Sequence, residues 1–133
     1  MFSWRVENKN DYYDRLVDWW VLQSFTVIDI DNLPNKIFVV SHNKTSEDLY
    51  AIPLYETNSN IAWIGFPTSN RNAKKEYKEG AFNYLLDKIE TCCQLMGFSV
   101  LFTTSGTDRV IKYLKESDFK EGDKEVTQYI KVL

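Results

Sequence analysis

Between Lys36 and Thr68 the chain carries three apolar runs in close succession, KIFVVSHN, LYAIPLYET and IAWIGFPT, separated by only KTSED and NSN. Their β-branched and aromatic residues suit a pleated, half-buried surface. Connections this short cannot make a crossover, so consecutive runs must pair as antiparallel strands. Pro53 interrupts the second run and removes a ladder N–H, which predicts an edge position or a bulge there.

The flanking segments read as alternating elements. FSWRVEN sets Phe2, Trp4 and Val6 against Ser3, Arg5 and Glu7, the period of a half-buried strand. Asn10 and Asp11 offer caps for YYDRLVDWWVLQS, where Tyr13, Leu16, Val17 and Trp20 recur at helical spacing up to about Ser24. After the polar SNRNAKKEY, the residues Ala81, Tyr84, Leu85, Ile89, Cys92 and Met96 trace one face of a long helix, with Gly97 as its stop signal. FSVLFTTS reads as a strand buried on both faces. GTDRVIKYLKES gives a shorter helix with Val110, Ile111 and Leu114 inward, and EVTQYIKVL a last strand. This order predicts an α/β fold, a mixed and mainly antiparallel sheet flanked by helices on both faces. The strands before and after the long helix should be parallel neighbours joined by a right-handed crossover, their diverging ends leaving a crevice at the helix N-terminus.

Length and composition exclude several classes. At 133 residues, residues 1–133 are expected to form a single domain. A formal net charge of −3 supplies no general attraction for nucleic acid or an anionic membrane surface, so neither is expected as a partner. MFSWRVENKND shows no basic segment followed by a long apolar stretch, and a cytoplasmic location is the default expectation. The adjacent Cys92 and Cys93 fall in a helical pattern and read as reduced packing residues. No phosphate loop, dinucleotide-binding glycine pattern or metal-ligand spacing is present. The single histidine, His42, lies near the end of a strand, where a surface or turn position is expected.

One stretch asks for an explanation. In KEYKEGAFNYLL a glycine, Gly80, sits where a long helix starts, although glycine weakens helices. Either it is merely tolerated in a solvated, lysine-bearing helix start, or it lets the backbone approach a ligand. The first turn of a helix offers unpaired N–H groups and partial positive charge, which suit phosphate. Arg71, Lys74, Lys75 and Lys78 add local charge to an otherwise acidic chain.

Taken together, IAWIGFPTSN, YKEGAFNYLLDKIETCCQLMGF, SVLFTTS, VIKYLKESDFKEG and TQYIKVL resemble the C-terminal two-thirds of the GCN5-related N-acetyltransferases, the GNAT superfamily. KYLKESDFKEG is similar to the family's short helix followed by a Gly-Phe pair, with Asp118 in place of the glycine and Phe119 retained. Small, divergent members of this kind are similar to acetyltransferases inferred from bacteriophage genomes. The resemblance implies the GNAT fold, acetyl-CoA as cosubstrate, and an amine-bearing small molecule or protein as acceptor. It implies that a bulged strand presents Ile64, Gly65 and Phe66 to the pantetheine arm; Gly65 supplies the irregularity or makes room for a neighbouring tryptophan. The family's pyrophosphate motif aligns with Tyr77 to Phe82, so that Lys78, Glu79, Gly80 and Ala81 would cradle the phosphates. Only Gly80 matches that motif, and Phe82 occupies the place of a small residue, where its bulk would narrow the pocket.

Catalytic residues carry over less well. The family's usual acid, a tyrosine, falls at Leu114, with Tyr113 one residue early, and its frequent asparagine at the start of the short helix is Thr107. Glu56 is the nearest carboxylate to the expected cleft and the candidate base; its alternative is a solvent-exposed role. Two functions follow: an acetyl-CoA-dependent N-acetyltransferase acting by direct transfer, or a catalytically inactive binding or assembly module of the same fold. An exposed strand edge leaves a homodimer open.

Overall fold

The structure, a computed structural model, covers residues 1–133. The chain runs β1 (Phe2–Asn8), α1 (Lys9–Leu22), a 3₁₀ turn (Ile30–Asn32), β2 (Lys36–His42), β3 (Asp48–Glu56), β4 (Ile61–Ile64) and β5 (Thr68–Ser69). It continues through α2 (Lys75–Lys78), α3 (Ala81–Leu95), β6 (Val100–Thr103) and α4 (Asp108–Glu116). One six-stranded sheet has the order β1-β2-β3-β4-β6, with β5 also pairing to β3. All pairs are antiparallel except β4 with β6, the parallel pair that α3 connects.

The sheet is covered on both faces. Strands β2 and β3 are almost wholly buried because their alternate residues serve two cores. On one face Ile37, Val39 and Ala51 pack against Tyr12, Leu16, Trp19 and Trp20 of α1. On the other, Phe38, Val40, Ile52 and Leu54 pack against Ala81, Phe82, Leu85, Leu86 and Ile89 of α3. Gly97 ends α3 as expected, with φ +92 and its N–H on the Gln94 carbonyl.

A buried carboxylate joins four elements at one end of the first core. The Asp48 side chain, 3% exposed, accepts two hydrogen bonds from Arg5 of β1 at 2.9 Å each. Ser41 of β2 donates at 2.7 Å, Tyr12 of α1 at 2.7 Å and Arg15 of α1 at 2.9 Å. Burial alone would push this carboxyl up, but the hydrogen bonds from Arg5, Ser41 and Tyr12 outweigh it and hold Asp48 below the ordinary carboxylate range. The demand for Tyr12 also sets the rotation of α1. Tyr12 and Trp19 are buried, whereas the expected Tyr13 and Val17 are only partly covered.

Three expectations are corrected. EVTQYIKVL forms no strand: residues 119–133 have neither helix nor strand, and Val126, Tyr129, Ile130, Val132 and Leu133 are exposed. Local pattern sets strand propensity, but a strand exists only with a ladder partner, and none receives this segment. FSVLFTTS is not buried on both faces, because β6 is the sheet's edge and exposes Val100 and Phe102. His42 is buried rather than exposed, its ring centroid 4.3 Å from that of Tyr77 and its Nδ1 accepting the Lys44 N–H at 3.2 Å.

Asp48→Asn should cost about 2–3 kcal/mol in urea unfolding, below the usual penalty for halving a buried ion pair because both arginines can rehydrate. Asp48 contributes fully above its unfolded pKa of about 4 and loses that contribution as pH falls through its lower folded value. The variant should therefore show a shallower acid limb in stability against pH.

Candidate active site

The strand expected to be irregular is bulged. Ile64 pairs with Leu54 and Thr68 with Ala51, so three residues, Gly65 to Pro67, stand opposite two, Ile52 and Pro53. The Gly65 N–H donates to the Pro53 carbonyl at 3.2 Å, which turns the missing N–H of Pro53 toward the irregular segment. Proline is thus accommodated in a central strand, and β4 and β5 are one strand interrupted by a bulge. Phe66 at its centre has φ +56, a left-handed conformation uncommon for a non-glycine residue. Its N–H has no partner in the protein.

Gly65 has a second reason to be glycine. A Cβ there would lie 2.7 Å from Tyr55 Cε1 and 3.0 Å from two ring atoms of Trp63. Tyr55, Trp63 and Phe66 form an aromatic cluster around it, with centroids 4.7 to 6.4 Å apart. Irregularity and room for a tryptophan, the two readings of this position, coincide.

The parallel pair ends beside this bulge. β4 and β6 stay in register through Ile64 and Thr103, where the Thr103 hydroxyl donates to the Ile64 carbonyl at 3.0 Å. Beyond that point β5 pairs only with β3, and the chain after Thr103 leaves for α4. The strands part at their C-terminal ends, while at the Val100 end they remain paired.

Gly80 breaks what would be one helix. α2 ends at Lys78, Glu79 is extended, and Gly80 takes φ +80 before α3 begins. No side chain caps the N-terminus of α3. A Cβ on Gly80 would meet only Phe2 at 3.8 Å, so the glycine is required by its backbone conformation, not by space. Ala81 and Phe82 are buried, which leaves backbone rather than side chains at the helix start. Phe82 does not crowd that opening: it points into the core, stacked on Tyr113 at 5.3 Å and edge-on to Tyr50 at 5.3 Å.

A cluster of cationic and aromatic side chains lies between β5, α3 and α4. Lys78 Nζ donates to the Ser69 hydroxyl and, at 3.1 Å, to the Asn70 carbonyl, and lies 5.2 Å from the Tyr50 ring centroid. Burial, then the charges of Arg109 and Arg71, hold the Lys78 ammonium below the usual lysine range. Burial pushes the Tyr50 hydroxyl up to about 12, with Tyr113 adding to the effect, so it stays protonated at neutral pH. Asn83 fixes α4 against α3 by donating to the Tyr113 carbonyl at 2.8 Å and to Ser117 at 2.7 Å.

Of the residues singled out in the sequence, Ile64, Gly65 and Phe66 lie in and beside the bulge, and Lys78, Glu79, Gly80 and Ala81 at the α2–α3 junction. Tyr113 and Tyr50 both pack on Phe82. Glu56 does not join them. It pairs with Lys36 at 2.6 Å, and the same ammonium reaches Met96 at the far end of α3. A 15-residue helix places its two ends about 22 Å apart. Tyr50, Ser69 and Arg109 went unnoticed because nothing in the alternation of LYAIPLYET or in a lone arginine marks them; only the strand register brings them together.

No protein-family model matches the chain, and no curated protein matches it in sequence. Solved structures do. An aminoglycoside acetyltransferase, meta-AAC0020, from an uncultured soil metagenomic sample superposes with a TM-score of 0.72 at 13% identity, over 99% of this chain and 97% of that one. A Trypanosoma brucei acetyltransferase gives 0.66 at 11% identity, over 98% and 100%. Glucosamine-6-phosphate N-acetyltransferase from Arabidopsis thaliana gives 0.65 at 9% identity, over 98% and 99%. The chain therefore has the fold of these acetyltransferases, the GNAT fold.

Both glycines should prove costly to replace. Gly80→Ala should lose about 1–2 kcal/mol in urea unfolding from the left-handed backbone alone. Gly65→Ala should lose about 1–3 kcal/mol by displacing the Tyr55 and Trp63 rings, seen also as a changed near-ultraviolet circular dichroism.

Proposed function

We propose that this chain is an acetyl-CoA-dependent N-acetyltransferase that passes the acetyl group directly to an amine on a small molecule or protein. The observation that carries this reading is the bulge with its unpartnered Phe66 N–H, beside an uncapped helix N-terminus and the cations Lys78, Arg71 and Arg109. These groups fit a cosubstrate with a polar arm and a pyrophosphate: backbone amides for the former, helix dipole and ammonium for the latter. Acetyl-CoA supplies a thioester whose carbonyl carbon becomes bonded to the amine nitrogen while the carbon–sulfur bond breaks, sulfur keeping the electron pair and taking the proton that nitrogen sheds.

On the protein's side, the Phe66 N–H is placed to donate to an acyl oxygen. Tyr50, its hydroxyl pushed up to about 12 by burial, stays protonated at neutral pH and cannot act as a base. Glu56, paired with Lys36 beside Met96, is given no role as base in this reading. That position favours the second reading, a protein that keeps the cosubstrate slot without turnover.

Calorimetric titration with acetyl-CoA, coupled to an assay of free thiol release with an amine panel, separates the two. Binding with turnover supports the enzyme, binding without turnover the module, and no binding at millimolar acetyl-CoA rejects both. Gly80→Asp should abolish detectable binding by setting a carboxylate against the phosphates. Lys78→Ala should weaken it about tenfold to a hundredfold, the range of a hydrogen bond to a charged group. Unchanged affinity in both variants would show the pyrophosphate to lie elsewhere.

A further inference from the structure

The bulge has a second side. Just beyond it, Lys78 bonds to Ser69 and Asn70 beside Tyr50; toward α1 the bulge forms the floor of a cavity of about 290 Å³, walled by Trp20, Phe25, Ile28, Phe66 and Pro67. The only other side chains lining it are Thr26 and Thr68. Thr68 is already committed, its hydroxyl accepting from the Trp20 indole at 2.9 Å and donating to the Phe66 carbonyl at 2.9 Å. No charged residue lines the space. The nearest carboxylate in sequence, Asp29, caps the 3₁₀ turn through the Asp31 N–H at 3.0 Å. Phe25 and Phe66 are about half exposed at the mouth, so the cavity is open to solvent.

We infer that this cavity is the acceptor site and that it selects a small primary amine carried on an uncharged, aromatic or aliphatic body. The inference rests on the acetyl-transfer reading for the identity of the reaction, but the cavity's chemistry is independent of it. Phe66 lines the cavity and its own backbone carries the N–H assigned to the acyl oxygen, so an amine seated against Phe66 lies within one residue of that donor. The volume, at the lower end of the range for small-ligand pockets, excludes an oligosaccharide and fits a molecule of phenylethylamine or tryptamine size. Polycationic acceptors need carboxylates to replace lost hydration, and this wall has none. The same apolar wall disfavours an ammonium relative to the free amine, so entry itself lowers the acceptor's pKa. Desolvation thereby supplies part of what a carboxylate base would do.

The test compares 2-phenylethylamine and tryptamine with spermidine and kanamycin as acceptors at fixed acetyl-CoA, following thiol release. The two aryl-alkyl amines should exceed the polycations at least tenfold in kcat/KM. Phe25→Asp, at an exposed position that tolerates a charge, should lower kcat/KM for 2-phenylethylamine at least tenfold through KM, with calorimetric affinity for acetyl-CoA unchanged. Better turnover of the polycations, or an unaffected Phe25→Asp variant, overturns the inference. If acetyl-CoA does not bind or no amine turns over, the acetyl-transfer reading fails on its own, and the cavity is judged by NMR titration with 2-phenylethylamine. A shift of the Trp20 indole N–H, identified by its loss in Trp20→Phe, with no shift of the Trp4 indole supports the site. An unmoved Trp20 indole overturns it.

Discussion

Asp48 is the point through which the N-terminal half of this molecule is held together. A carboxylate taken out of water on three sides is stable only if its lone pairs are filled, and here β1, β2 and α1 all send donors to the first residue of β3. The two arginines keep part of their surface in water, which lowers the desolvation cost on the cationic side. The carboxylate therefore acts less as an ion pair than as a junction that fixes how α1 lies against the sheet. Once Tyr12 is committed to Asp48, Trp19 and Trp20 turn inward, and the Trp20 indole reaches Thr68 beside the bulge. The position of one wall of the apolar cavity beside the bulge is thus set from the opposite end of α1.

The bulge depends in turn on β3. That strand pairs with β4 on one side of the irregularity and with β5 on the other, and its regular register with β2 from Tyr50 to Leu54 leaves the extra residue to be absorbed by Gly65 to Pro67. Pro53 cooperates by having no N–H to offer where the ladder is broken. In a regular register the residue after the Gly65–Pro53 hydrogen bond would turn its N–H away from β3; the extra residue also drives Phe66 into the left-handed region, and β6, paired only as far as Thr103, supplies that N–H no partner. The backbone strain follows from the one-residue mismatch, the available donor from the parting of β4 and β6.

What was legible in the sequence was what short-range chemistry decides. The three-strand meander follows from the shortness of KTSED and NSN, the end of α3 from Gly97, and the parallel β4–β6 pair from the length of the helix between them. Pro53 correctly signalled an irregularity, although its position in the ladder gave no hint of which neighbouring strand would bulge. What depended on a partner far along the chain was not legible. Phe82 looked obstructive because the motif places it at a phosphate, yet Tyr50 and Tyr113 offer it a core position that no local pattern reveals. Glu56 looked close to the cleft because it ends a strand, but antiparallel pairing puts that end opposite the opening. EVTQYIKVL has strand composition and no ladder to join.

On the acetyl-transfer reading, a cavity whose lining holds no carboxylate changes what the site has to accomplish. An ammonium acceptor must lose a proton before its nitrogen can bond to carbon, and a protein can promote this with a base or with a medium in which the charge is unfavourable. On the α3 side Lys78, Arg71 and Arg109 lie together beside the protonated Tyr50 hydroxyl, which suits phosphate and disfavours a further positive charge. On the α1 side there is only hydrocarbon, aromatic surface and two hydroxyls. Both environments push an approaching amine toward its neutral form, one by repulsion and the other by desolvation. A bulge lying between them needs no base of its own, provided that the acceptor is small enough to be enclosed and carries no other charge.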